Sequence, residues 1–172
     1  DYGLGGLHAA IQGHHQSTDD EVIMSYDVAS MYPNIAIANN VYPEHLSRSF
    51  CKSYQDFYNE RKKFAKGTAE NLAIKLGLNC VFGNSNNKYS PFYDAKYTMS
   101  ITINGQLTLS MLMEKVVEKF GAKLLMGNTD GAEFLINRKY IPDVEKLISK
   151  WESYVGLQME GVFYDHMYID NV

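Results

Sequence analysis

Two aspartates stand where a strand should end. Asp27 follows the apolar run Val22 to Tyr26, and Asp130 lies in MGNTDGAEF (126–134) between Leu124–Met126 and Ala132–Ile136. Asp-Gly between two β-prone runs marks a hairpin turn. Carboxylates at the ends of adjacent central strands can converge within a few Å although about a hundred residues separate them. Hard cations such as Mg²⁺ take oxygen ligands, often one or two carboxylates completed by substrate phosphates. Two such ions ~3.5–4 Å apart can stabilise both attacking and leaving oxygens of a phosphoryl transfer. A plain turn and an ordinary strand end account for each aspartate singly. Asn128, two places before Asp130, leaves open a metal site that has lost one carboxylate. Glu133 alternates with its neighbours and is expected to face solvent rather than to act as a ligand.

A second group is cationic. Lys75, Asn79 and Phe82 stand at i, i+4 and i+7 and share one helix face. A lysine one turn before an amide suits a surface that meets phosphate and sugar or base. Arg61, Lys62, Lys63 and Lys66 on the preceding helix add charge, although a run of this kind is also what a solvated helix face looks like. The glycines of YGLGG (2–6) are followed by no helix at the spacing a phosphate loop needs, which excludes P-loop and dinucleotide-binding readings.

The elements that position these groups are legible in outline. A buried strand spans Val22 to Tyr26, and Pro33 opposes a clean helix at Tyr32. SYQDFYNERKKFAK is helical, with Tyr54, Phe57, Tyr58 and Phe64 near one face, and Gly67 ends it. A second helix runs from about Thr68, a candidate N-cap, to Gly83, with Leu72, Leu76 and Leu78 on its buried side. YTMSITI (97–103) alternates weakly and is expected to be a strand, and Asn104 is expected to cap a long helix stopped by Gly121. A hairpin over 122–136, a helix from Pro142 to Gly156 and a last strand in FYDHMYI follow. This order implies an α+β fold, helices layered on one face of a largely antiparallel sheet, with the segment from Pro43 to Gly83 inserted.

Composition narrows the class. A chain of 172 residues, 45% hydrophobic and 21% charged, can bury an ordinary core, which excludes general disorder. The many tyrosines and phenylalanines suit packing first and stacking second. No apolar run approaches the ~20 residues a membrane span requires, so no membrane partner is expected. Cys51 and Cys80 fit no zinc spacing, and the five histidines add no ligand pattern, which points to a reduced, intracellular protein. A net charge of −4 argues against nucleic acid, yet Lys52 to Lys66 carries five basic residues against two acidic ones. A start at Asp1 and an end at Asp-Asn-Val suggest a piece of a longer chain.

Three stretches, in this order, carry a resemblance. DVASMYP (27–33) resembles the first palm motif of family B DNA polymerases, D-x-x-S-L-Y-P; KLGLNCVFG (75–83) resembles their fingers motif, K-x-x-x-N-S-x-Y-G; and GNTDG (127–131) resembles the second palm motif, G-D-T-D-S. The six residues between Lys75 and Phe82 also distinguish the motif from that of family A, which has seven. The short inter-motif segment and the YGLGG start look most like phage or viral members, placing the protein inside a phage-infected host. The fold implied is a polymerase palm, residues 1–47 and 84–172, with a short helical fingers insertion, 48–83.

The resemblance implies roles residue by residue. Asp27 and Asp130 match the metal-binding, catalytic aspartates for two Mg²⁺ (or Mn²⁺), with the Val28 carbonyl as a further ligand. Backbone amides of Ser30, Met31 and Tyr32 would hold the β- and γ-phosphates of a dNTP, and the Tyr32 ring would exclude a 2′-hydroxyl. Arg61 and Lys75 match cationic residues that grip the triphosphate, and Asn79 matches a position beside them. Phe82, Gly83 and Thr129 are expected to contact primer-template DNA. Cys80 stands in place of the usual Ser, Phe82 of Tyr, Asn128 of Asp and Gly131 of Ser. Phe82 lacks a phenolic hydroxyl for any hydrogen bond near the nascent pair. The exonuclease and thumb domains would be further partners. Two rival readings are a two-metal nuclease or phosphatase, which has no use for Tyr32 or the Lys75–Asn79 face, and a fragment that binds primer-template or nucleotide without extending it.

Overall fold

The computed structural model describes residues 5–170. Among these, seven strands and five α-helices follow one another: β1 (Ala9–Ala10), β2 (Gly13–Gln16), β3 (Glu21–Val28), α1 (Met31–Ala38), α2 (Ser49–Arg61), α3 (Ala69–Asn84), α4 (Ala95–Phe120), β4 (Lys123–Asn128), β5 (Gly131–Asn137), α5 (Ile141–Val155), β6 (Met159–Tyr164) and β7 (His166–Ile169). They form two compact units. One comprises the residues up to Ala29 together with those from Gly105 onward, and the other is Ser30–Asn104. No helix among the described residues is long and apolar enough to cross a membrane.

The first unit is built on a five-stranded sheet in the order β1-β4-β5-β3-β6, with every neighbouring pair antiparallel. Strand alternation sorts its side chains onto two faces. Val22, Met24 and Tyr26 of β3 lie opposite Ile136, Phe134 and Ala132 of β5, and all six are buried. The helices cover this face. Sδ of Met113 in α4 would lie 3.1 Å from a Cβ at Gly127, the register partner of Ala132. Burial, then Glu145 and Glu152 of α5, push the Tyr26 phenol above its ordinary range. Val144, Ile148 and Trp151 form the buried stripe of α5, and the Trp151 indole donates to the Thr108 carbonyl of α4 at 2.9 Å. Gly156, at φ 73°, ends α5 in the left-handed conformation glycine tolerates. The opposite face carries Ile23, Ser25, Asp27, Gly131, Glu133 and Leu135. Ile169 and Met167 of β7, which pairs with β2 in a separate ribbon, pack with Ile23, Leu125 and Leu135 there.

In the second unit, Cys51, Tyr54 and Tyr58 form the buried stripe of α2, and Leu78 and Val81 that of α3. The Tyr54 hydroxyl donates to the Leu78 carbonyl at 2.6 Å, joining the two helices. Thr68 caps α3 as expected, its hydroxyl accepting from Asn71 N–H at 3.3 Å.

The fold is α+β, with helices on one face of a mainly antiparallel sheet, as the sequence order implied. Several elements depart from expectation. YTMSITI is not a strand but part of α4, because Asp94 caps that helix by accepting from Tyr97 N–H at 3.0 Å. Tyr97, Ile101, Leu109, Leu112 and Val116 then fall on one buried stripe, so helical packing overrides the β-branched composition. Asn104 sits mid-helix, donating to the Ser100 carbonyl at 2.7 Å. Pro33 does not prevent a helix at Tyr32, because α1 begins at Met31 and leaves Pro33 in the first turn, where no intrahelical donor is required. Helix α2 stops at Arg61, short of Gly67, and Phe57 is exposed. Leu72 and Leu76 are 55% and 56% exposed, one turn apart on the outer side of α3, while Asn71, Leu78 and Val81 face inward. The FYDHMYI segment breaks at Asp165, so its two halves join different sheets.

Candidate active site

The hairpin that presents Asp130 has a two-residue turn, Thr129–Asp130, between β4 and β5. Asn128 Oδ1 accepts from Thr129 N–H at 2.7 Å, a short-range bond that favours the turn. Asn128 is thus engaged in shaping the tip. Asp27 is the register partner of Gly131, and Val28 N–H donates to the Asp130 carbonyl at 2.7 Å. Strand pairing therefore sets the end of β3 against the hairpin tip, bringing Asp27, Val28 and Asp130 together. A side chain at Gly131 would overlap the Asp27 carboxylate and stand 2.9 Å from the Tyr26 carbonyl. Glycine at this position leaves the space that Asp27 occupies. Thr129 abuts Gly6, where a Cβ would lie 2.5 Å from its Oγ1, and the Gly6 carbonyl accepts from Gln106 at 3.1 Å. Of the YGLGG stretch, Tyr2, Gly3 and Leu4 lie outside the described residues.

The electrostatics of this tip are acidic. Burial, then Asp130 and Glu160, hold the Asp27 carboxyl above its ordinary range. Glu160, the register partner of Asp27 on β6, went unremarked in the sequence because nothing local links it to either motif. Glu133 contradicts expectation outright. It is 6% exposed, not solvent-facing, because its partner is Ser25 on the inner strand β3. Ser25 Oγ donates to Glu133 Oε1 at 3.1 Å, while Oε2 has no hydrogen-bond partner among the described residues. Burial raises the Glu133 carboxyl, the Ser25 bond opposes the shift, and Asp27 and Asp130 add to it. Alternation along β5 was the available signal, but which of its faces is covered is a tertiary fact.

The residues matched to nucleotide binding lie in the second unit. Ser30 begins α1 in a left-handed conformation, φ 47° and ψ 53°, unusual for a non-glycine residue. Strain of this kind costs ~1–3 kcal/mol and concentrates at functional sites. Arg61 Nη1 donates to Ser30 Oγ, so the last residue of α2 reaches the amino end of α1, a helix with no acidic residue in its first turn. Tyr32 stacks on Phe82, with ring centroids 3.8 Å apart at 17°. Lys75 and Asn79 are exposed on α3, as is Gly83, with nothing within 4 Å of where its Cβ would be. The structure thus brings together Ser30, Met31 and Arg61, and separately Tyr32 and Phe82.

The donor chemistry at the hairpin tip fits a hard divalent cation. Asp27 and Asp130 offer only oxygen, and the raised proton affinity of the Asp27 carboxyl, to which the Asp130 charge contributes, is relieved by positive charge. No cluster of three or more His, Cys, Asp or Glu residues among those described is placed to hold a metal by itself. An ion held by these two carboxylates would complete its shell with other oxygens, from water, backbone carbonyl or substrate.

The chain is similar to known proteins in sequence and in fold. The chain is 26% identical over 185 residues to a DNA polymerase of Thermococcus sp. (strain 9oN-7), and 25% identical over 177 residues to one of Thermococcus gorgonarius. These alignments take in 86% and 83% of the chain. The family B DNA polymerase of the hyperthermophilic archaeon Pyrobaculum calidifontis superposes with a TM-score of 0.61 over 93% of the chain, at 16% identity. The chain has the fold of one stretch of a family B DNA polymerase. It spans about a quarter of those proteins: 24% and 23% of the two sequence relatives and 25% of the structure. No protein-family model matches it. These relatives are archaeal, which does not support the phage or viral kinship, or the phage-infected host, expected from the short inter-motif segment.

Proposed function

We propose that the chain is the palm and fingers of a family B DNA polymerase, with palm residues 1–47 and 84–172 and fingers 48–83. The observation that supports this most is the meeting of Asp27 and Asp130 at paired strand ends, with Gly131 leaving room for the Asp27 carboxylate. In this reading Asp27, Asp130 and the Val28 carbonyl hold two Mg²⁺ ions, which when bound would lower the charge barrier between primer oxygen and phosphate. The primer 3′-hydroxyl attacks the α-phosphate of a dNTP and pyrophosphate leaves. The amino end of α1, at Ser30, Met31 and Tyr32, suits the β- and γ-phosphates, since helix amino termini favour anions. Arg61, anchored on Ser30, supplies a cation at that end, and Lys75 and Asn79 supply a polar face one helix away in sequence. Tyr32, backed by Phe82, forms an aromatic wall against a 2′-hydroxyl. Phe82, Gly83 and Thr129 would meet primer-template DNA, largely through its backbone and without regard to sequence. Positioning and electrostatics carry catalysis of this type. Exonuclease and thumb segments would be its partners.

Primer extension with Mg²⁺ tests the assignment. Asp130→Asn is expected to lower extension by at least ~10²–10³-fold, and Asn128→Asp to change it little. The reverse outcome would place the motif two residues out of register. Because the chain matches only a quarter of its relatives, a second reading is that it binds dNTP and primer-template without extending. Extension by the chain alone excludes that reading.

A further inference from the structure

Arg61 is held from both ends, and the residue that holds it is buried. Asn71, on the first turn of α3, is 7% exposed. Its side-chain oxygen accepts from Arg61 Nε at 3.2 Å, and its amide nitrogen donates to the carbonyls of Arg61 at 3.3 Å and Phe64 at 2.9 Å. A side-chain amide has one acceptor oxygen and two N–H donors, so Asn71 employs both ends. The orientation is forced, because exchanging oxygen for nitrogen would set a donor against Nε–H and an acceptor against two carbonyls. Thr68 fixes the base of the side chain by accepting from Asn71 N–H. The far end of Arg61 meets Ser30 Oγ through Nη1. With Nε and Nη1 both engaged, the plane of the guanidinium is set before any ligand arrives.

We propose that Asn71 is a positioning residue for triphosphate binding: its Oδ1 orients the Arg61 guanidinium toward the amino end of α1. This rests on the reading of Arg61 as a triphosphate contact. Arginine recognises phosphate through a planar fork of N–H groups, so a correctly turned fork binds without losing rotational freedom at that step. The two ends of the Asn71 amide divide the labour. Nδ2 closes the carboxyl end of α2 and is structural, while Oδ1 acts on Arg61. A residue that acts through another should have no effect once that other is removed.

The test is a double-mutant cycle on the intact chain, with dTTP in Ca²⁺ buffer as the probe and calorimetric affinity as the readout. Arg61→Ala is expected to weaken binding by about 10–30-fold, in line with loss of a charge-assisted contact. Asn71→Ala should weaken it by about 3–10-fold when Arg61 is present and by less than about 2-fold in the Arg61→Ala background. Equal losses in both backgrounds would reduce Asn71 to a structural role and overturn the inference while leaving the Arg61 assignment intact. Unchanged affinity in Arg61→Ala would overturn the nucleotide reading itself, and the inference with it. Should Asn71→Ala fail to fold, the unmutated chain still decides by NMR. The Arg61 Nε–H proton must exchange at least about 10-fold more slowly than that of an exposed arginine, and exchange at the exposed rate refutes the anchoring.

Discussion

Glu133→Gln in the metal-free protein is expected to increase stability at pH 8 and to lose most of that gain at pH 4. Glu133 is 6% exposed, one oxygen receives the Ser25 hydroxyl, and the other has no hydrogen-bond partner among the described residues. Burial holds its carboxyl above the ordinary range, against the Ser25 bond, and Asp27 and Asp130 add to the shift. The folded state therefore keeps a proton that the unfolded chain releases near pH ~4.3. Such a group contributes its stability fully below the unfolded value, and that contribution disappears as pH rises through the higher folded value. At pH 8 the ionised side chain is a buried, half-satisfied acceptor, which costs about 1–3 kcal/mol. Glutamine keeps Oε1 for Ser25, removes the charge, and replaces the unpartnered oxygen with a donor near two carboxylates. The gain at pH 8 should then be about 1–3 kcal/mol, or roughly 2–12 °C in Tm for a chain of this size. Thermal unfolding followed by circular dichroism in EDTA at both pH values measures it. A loss of stability at pH 8, or an equal gain at both pH values, would refute the view that Glu133 is a buried carboxylate strained by its neighbours.

Gly131→Ala should place a methyl group in the Asp27 carboxylate and against the Tyr26 carbonyl, costing about 1–3 kcal/mol in urea unfolding. Primer extension should fall by about 10²-fold through misplacement of Asp27; unchanged extension would show that Asp27 is not held there. Tyr32→Ala should raise ribonucleotide incorporation relative to deoxyribonucleotide by about 10-fold or more. Phe82→Leu should move it the same way by about 2–10-fold, since the stack it removes is worth ~0.5–1.5 kcal/mol; single-nucleotide insertion with both nucleotide types reads this out. Asp94→Ala should destabilise the chain by about 0.5–2 kcal/mol, because its carboxylate caps α4 by accepting from Tyr97 N–H; no change in unfolding would place the start of α4 elsewhere.

Short-range chemistry was legible from the residues alone. The hairpin over 122–136, the Thr68 cap, the Gly156 stop and the i, i+4, i+7 face of Lys75, Asn79 and Phe82 depend on neighbours within a turn or two. Each is present, although the two-residue turn is Thr129–Asp130 rather than Asp130–Gly131. The three ordered motifs also pointed to a fold that the structure shares with a family B polymerase. What required tertiary structure was every question of which face is covered. YTMSITI has strand-like composition, yet the Asp94 cap and a continuous buried stripe make it helix. Leu72 and Leu76 look like core residues by type but point outward, while Asn71 on the same helix is buried because it has carbonyls and a guanidinium to bind. Glu133 alternates as a solvent-facing residue should, but β5 lies inside the sheet and presents it to Ser25 beneath Asp27. Local propensity and spacing act over a few residues and can be read in order along the chain. Burial depends on strands that pair across more than a hundred residues, and only the folded sheet decides which side of each strand is exposed to water.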